Sequence, residues 1–182
     1  MSQLTDLADE IGVDERTLRR AARQGTLRAE RLSPRKLLLA PGEVGYLRRH
    51  WRLLAGLRSA LRTEPNVAFA MLFGSVARGD DGAESDVDLL VVLREHSPGR
   101  LIELQDRLEH ASGRKIHLVD MEAASNNEVL LSMAVEDGRV LVDREELWPP
   151  LRSELDGLRR RADRSLDRDR RHALSAVDAF LS

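Results

Sequence analysis

The sequence predicts an α/β (α+β) chain: a mixed sheet flanked by helices, with a small helical unit bearing a two-stranded wing before it and a long helix after it. Three observations predict this. Between residues 67 and 142, short apolar runs alternate with stretches of helical spacing, the pattern of a sheet covered by helices. The first 40 residues carry two short helical patterns interrupted by glycine, followed by two short apolar runs around a polar turn. The last 32 residues hold one apolar stripe at helical spacing among arginines and aspartates. The divisions that follow are 1–50, a connecting helix over 51–66, 67–148 and 149–182.

Leu4, Leu7, Ala8 and Ile11 follow helical spacing, and Gly12 breaks the pattern. Asp14 can cap a second helix that turns Leu18, Ala21 and Ala22 inward and ends at Gly25. That helix exposes Arg16, Arg19, Arg20 and Arg23, side chains suited to phosphates and guanine. Two strands over 27–32 and 36–40 flank Ser33-Pro34-Arg35, which gives a wing with a basic tip at Arg35. Pro41 opens a third helix, which continues through Trp51, Leu54, Leu57 and Leu61 until Pro65 stops it. Further on, Ser97-Pro98 starts a helix that Gly113 ends; a strand over 116–119, a helix over 125–137 and a strand over 140–142 follow. Pro149-Pro150 breaks the chain before the tail helix, whose stripe is Leu151, Leu155, Leu158, Ala162 and Leu166, resumed by Leu174, Val177 and Leu181. A helix of about 30 residues spans roughly 45 Å, longer than a domain of this size covers, so part of it is expected to meet a second subunit or another protein.

One stretch specifies chemistry. Leu72-Phe73-Gly74-Ser75-Val76-Ala77-Arg78-Gly79 runs an apolar strand into a Gly-Ser turn, where backbone N–H groups and a hydroxyl can approach a phosphate with no Cβ in the way. After a short acidic loop, Ser85-Asp86-Val87-Asp88-Leu89-Leu90 starts the next strand. Asp86 and Asp88, two apart on a strand, face the same way with Cα atoms about 7 Å apart. Two carboxylates about 4 Å apart in a partly buried site repel by about 4 kcal/mol. A hard divalent cation relieves that repulsion, taking oxygen from one or two carboxylates and from substrate phosphates.

At these residues the chain resembles the minimal nucleotidyltransferases of the DNA polymerase-β superfamily, whose signature is an apolar strand, Gly-Ser, a turn with Arg-Gly, and Asp-x-Asp on the next strand. The resemblance covers about 67–142. It implies that Gly74 and Ser75 hold a nucleoside triphosphate, ATP foremost, that Asp86 and Asp88 hold Mg²⁺ or Mn²⁺, and that Arg78 and Gly79 shape the loop. The family also supplies a third carboxylate within a segment of the form Lys-Val-Asp-Leu-Val. Here the segment reads Lys115-Ile116-His117-Leu118-Val119-Asp120, so His117 stands in the third acidic position. A neutral imidazole can act as base or ligand there; equally, His117 can mark a weakened site. Asp120 is three residues on, and odd spacing turns it to the opposite face unless the strand ends or bulges at Val119.

Residues 1–50 resemble the winged helix-turn-helix of MerR-type regulators and excisionases, on LADEIGVDERTLRRAARQGTL. By resemblance, small nucleotidyltransferases of this kind are often antitoxins beside a HEPN-type toxin, which some of them adenylylate, and a DNA-binding module would let such an antitoxin repress its own operon. The alternative is a regulator without catalysis that uses the same fold to sense nucleotide or grip a partner.

Composition bounds these readings. There is no cysteine, so disulfides and cysteine-based zinc sites are excluded, and the five histidines show no helical H-x-x-x-H pairing. Residues 1–57 carry 11 basic and 7 acidic side chains, 58–150 carry 10 and 18, and 151–182 carry 8 and 6. An acidic middle fits a metal-dependent site, and a basic start fits a polyanion such as DNA. No apolar run approaches membrane-spanning length and the start lacks a secretory pattern, so the expectation is a cytoplasmic protein with no membrane partner. A homodimer through the tail helix is an open expectation.

Overall fold

The computed structural model describes the backbone of residues 3–33, 36–95 and 97–181, with side chains from Leu4 to Ala173 among them. The chain begins with helices α1 (Gln3–Glu10) and α2 (Glu15–Arg23). Asp14 caps α2 by accepting from the Arg16 backbone N–H at 2.6 Å, as its sequence position requires. Strands β1 (Ala29–Arg31) and β2 (Leu37–Leu39) form an antiparallel pair, each shorter than the apolar runs that announced them. The wing tip residue Arg35 lies outside the described residues. Helix α3 (Glu43–Arg62) starts after a left-handed Gly42, so Pro41 precedes the cap instead of opening the first turn. It runs unbroken for 20 residues, and the division drawn at residue 50 falls inside it.

Strand β3 (Val67–Phe73) is buried along its whole length and passes directly into a five-residue helix, α4 (Gly74–Arg78), where the sequence had shown only a turn. Strand β4 (Val87–Leu93) follows, then α5 (Pro98–Ser112), capped by Ser97 and closed by Gly113. After β5 (Ile116–Asp120), the expected single helix over 125–137 is two: α6 (Met121–Ser125) and α7 (Glu128–Asp137). Asn127 breaks them apart because its side chain accepts from the Leu130 N–H and starts α7 afresh. Strand β6 (Arg139–Asp143) completes the sheet, whose order is β5-β4-β3-β6. β3 is antiparallel to both neighbours and β4 is parallel to β5, which makes the sheet mixed. The tail is also divided: α8 (Trp148–Ser153) takes Pro149 and Pro150 into its first turn, where proline loses no helical hydrogen bond, and α9 (Leu155–Leu181) follows.

Period-two alternation gives the sheet two apolar faces. Ala70, Leu72, Val87, Leu89, Val91 and Ile116 face α3 and α5, and this core continues without a break into Leu4, Leu7, Leu18 and Leu27 of the first segment. Phe69, Met71, Phe73, Leu90 and Val119 face the other way, against α7 and the start of α9. The tail stripe docks here through Leu155, Leu158 and Ala162, but Leu166 is 52% exposed. The side chains of Leu174, Val177 and Leu181 lie outside the described residues. Among the described residues no helix is long and apolar enough to cross a membrane.

A buried ion pair joins the first segment to the sheet edge. Arg139 on β6 is 1% exposed and donates to both carboxylate oxygens of Glu43, at 2.7 and 3.0 Å, and through Nε to the Ala77 carbonyl at 2.6 Å. Its guanidinium lies 3.5 Å from the centroid of the Tyr46 ring. Burial pushes the Tyr46 hydroxyl up to about 12. Beside this pair, the Val140 N–H donates to the Gly25 carbonyl and the Thr26 hydroxyl donates to the Val140 carbonyl, so the chain after α2 lies along the free edge of β6.

Candidate active site

The Gly-Ser turn and the acidic strand meet at one end of the sheet because β3 and β4 are antiparallel, with Phe73 opposite Asp88. Gly74 has φ +74°, and a Cβ there would fall 2.6 Å from Asp88 Oδ2. Only glycine permits both the backbone conformation and the approach of that carboxylate. The Ser75 carbonyl accepts from the Gly79 and Asp80 N–H groups, which folds the following loop back onto the turn. Arg78 then spans Asp80 at 3.1 Å and Asp137 at 2.6 Å, and Gly79, at φ +87°, packs against the Tyr46 ring. Arg78 and Gly79 thus shape the loop.

Asp86 lies one residue before β4, not on it as the sequence had indicated. The pleat still places it on the side of Asp88, Leu90 and Val92, since Val87 and Leu89 turn into the opposite core. The parallel register of β4 with β5 sets Asp88 beside His117, and His117 Nδ1 lies 3.1 Å from Asp88 Oδ1. Lys115, which sequence reasoning passed over, has its ammonium 3.5 Å from Asp86 Oδ2. Its signal was present: it is two residues before His117 and so shares that strand's outward side. Asp120 is not brought to the pair. It stands beside Val91, three residues along the strand, and its side chain accepts from the Glu122 N–H as the cap of α6.

Gly74, Asp86, Asp88 and His117 therefore gather at one partly exposed end of the sheet, with Ser75 next in the chain; Asp88 faces His117 of β5, and Asp86 faces Lys115, one residue before β5. Among the described residues no group of three or more His, Cys, Asp or Glu side chains could enclose a metal ion. Two carboxylates next to an open turn instead match a Mg²⁺ ion that arrives with phosphates and keeps most of its ligands from them and from water.

The basic residues of the first segment form a separate surface. Arg16, Arg20 and Arg23 are exposed, whereas Arg19 is half-buried and bonded to Glu15 at 2.5 Å. A hydrogen bond from Thr5, and then Arg19, holds the Glu15 carboxyl below its usual range. Arg19, Arg23, Arg31 and Lys36 line a cleft of about 130 Å³ between α2 and the two-stranded pair. Burial, followed by the nearby Arg20 and Arg62, pushes the Arg58 guanidinium down.

No curated protein matches the chain. A chain of a toxin–antitoxin solved with AMP-PNP aligns over 68% of this chain and 97% of its own length, with a TM-score of 0.52 and 22% identity. The MntA-HpeT toxin–antitoxin carrying two aspartate-to-glutamate changes aligns over the same shares, with a TM-score of 0.52 and 21% identity. A tri-AMPylated Shewanella oneidensis HEPN toxin in complex with MNT antitoxin gives 20% identity over 69% of this chain and 95% of its own, with a TM-score of 0.48. At such identities the first two likenesses establish a shared fold. The family model described as polymerase beta, nucleotidyltransferase matches residues 56–147, which include the Gly-Ser turn, both aspartates and His117. That match spans half of the sequence and every element of the sheet, and by it the chain belongs to the polymerase beta nucleotidyltransferase family.

Proposed function

We propose that this chain transfers a nucleoside monophosphate from an NTP, ATP foremost, to a hydroxyl on a partner protein, and that its first segment binds DNA. The observation that carries the first half is the Asp88 carboxylate seated against Gly74, at the end of the sheet where Ser75 follows in the chain and Asp86 precedes β4. Gly74 and Ser75 would receive the phosphates, and Asp86 and Asp88 would hold the Mg²⁺ or Mn²⁺ ion that neutralises them when bound. The acceptor oxygen bonds to the α-phosphorus, the bond to pyrophosphate breaks, and the hydroxyl proton leaves to a base. His117, 3.1 Å from Asp88 and open to solvent, would take that proton on its other ring nitrogen. Lys115 faces the same space and would offset phosphate charge.

A HEPN-type toxin is the partner proposed, in keeping with the toxin–antitoxins whose fold the chain shares. The uncovered continuation of the α9 stripe at Leu166 is where that partner, or a second copy of this chain, would dock. Transfer of label from α-labelled ATP to the co-purified partner in Mg²⁺ tests the reading. His117→Ala should cut transfer and His117→Asp should retain or raise it, while Asp120→Asn should be mild.

The DNA half rests on Arg16, Arg19, Arg20 and Arg23 standing on one helix beside the basic cleft of the two-stranded pair; Arg35 is proposed with them from sequence. Affinity for the chain's own promoter region should fall with salt, and Arg16→Ala should lower the slope of log affinity against log salt by about one unit. A second reading is favoured by His117 alone: a regulator that binds nucleotide without transfer. Label transfer absent from the natural chain but created by His117→Asp would establish it.

A further inference from the structure

At the same end of the sheet, but on the face opposite Asp88, lies a second concavity of about 650 Å³. Its walls are the first half of α3, the loop between α4 and β4, and the end of α5. Its floor is rigid. His50 Nε2 lies 2.8 Å from Asp81 Oδ1, and Arg114 donates to Asp81 Oδ2 at 3.0 Å; the His50 and Asp81 side chains are 7% and 8% exposed. Burial alone would raise the Asp81 carboxyl, but the hydrogen bonds from Arg114 and then His50 outweigh it and hold it below the usual range.

The rim is positive. Arg49 and Arg52 are exposed at the mouth, Arg49 donates through Nη2 to the Gly79 carbonyl, and Arg52 has no partner among the described residues. Asp81 is the one carboxylate among the lining residues, against three guanidiniums, and its charge is already offset from within the floor. A concave, water-accessible space with excess guanidinium attracts an anion, and the planar fork of arginine suits phosphate oxygens. The volume lies in the range of small-molecule sites and exceeds what a bare phosphate fills.

We infer that this concavity binds a small phosphate-bearing molecule of about mononucleotide size, without a metal, through Arg49 and Arg52. Its occupant would touch the back of the loop that carries Asp86, because Arg114 also donates to the Ser85 carbonyl and Asp81 is five residues before Asp86.

The test is calorimetry on the full chain in EDTA with AMP, adenosine and inorganic phosphate as probes. AMP should bind, adenosine should not, and phosphate should compete with AMP but bind more weakly. Arg49→Ala with Arg52→Ala should weaken AMP by at least about tenfold, and Arg52→Lys should recover part of the loss. Asp86→Asn with Asp88→Asn should leave it within about twofold, which separates this site from the proposed active site whether or not that one works. Unchanged circular dichroism melts keep the comparison valid, since both arginines are exposed. No AMP binding in EDTA, binding indifferent to Arg49 and Arg52, or binding lost with Asp86 and Asp88 would each overturn the inference.

Discussion

Among the side-chain pairs that join distant parts of this chain, Glu43–Arg139 and Asp88–His117 are built in opposite ways. Glu43 and Arg139 are 2% and 1% exposed, and Arg139 is bonded to both carboxylate oxygens, two carbonyls and a tyrosine face. Asp88 and His117 share one contact of 3.1 Å, with side chains 27% and 65% exposed. A pair whose hydrogen-bonding capacity is filled from inside the protein has nothing left for a ligand. The open pair keeps carboxylate oxygens, a ring nitrogen and a neighbouring glycine turn within reach of one. The difference separates a pair closed within the fold from a pair left open to a ligand.

The largest effect should come from breaking the closed pair. Arg139→Ala leaves Glu43 buried and unpaired, which costs about 3–5 kcal/mol, read as a lowered urea midpoint. The same variant should loosen the first segment, since Arg139 also holds the Thr26 carbonyl. An unchanged midpoint would remove the distinction drawn between the two pairs. Next is Gly74→Ala at the open pair. The left-handed conformation costs an alanine about 1–2 kcal/mol, and its Cβ would displace Asp88, so nucleotide binding should fall by more than stability does. Equal loss of both would make Gly74 only a turn residue.

The smallest effect concerns Asp81. Its folded carboxyl is held below the unfolded value of about 3.9, so it contributes stability above about pH 4 that is lost as pH falls through the folded value. Asp81→Asn should flatten the fall in urea midpoint between about pH 5 and the acid limit. An identical acid profile would show that the His50–Asp81–Arg114 floor adds nothing.

Much of this was legible in the sequence, and the reasons are local. The strands of the sheet, Asp14 and Ser97 as caps, and Gly113 as a terminator all rest on short-range rules that the fold left intact. The Gly-Ser turn and both aspartates could be singled out because they follow one another at short spacing along the chain. What could not be read depended on side chains meeting across the chain. Asn127 looked like a helix residue until its side chain capped α7, and Pro149-Pro150 looked like a break until the two residues became a first turn. Glu43 and Arg139 are 96 residues apart, and no periodicity links them. Lys115 became a site residue only once the parallel register of β4 with β5 set the start of one strand beside the other.

The central claim is that Asp86, Asp88 and the Gly74-Ser75 turn form a metal–nucleotide site. Calorimetry with a non-hydrolysable ATP analogue, with and without Mg²⁺, on the natural chain and on Asp86→Asn with Asp88→Asn tests it most directly. AMP is added in excess to occupy the second concavity. The account predicts binding that Mg²⁺ strengthens at least about tenfold in the natural chain, and no such gain in the double variant. Equal, metal-independent binding in both proteins would contradict it.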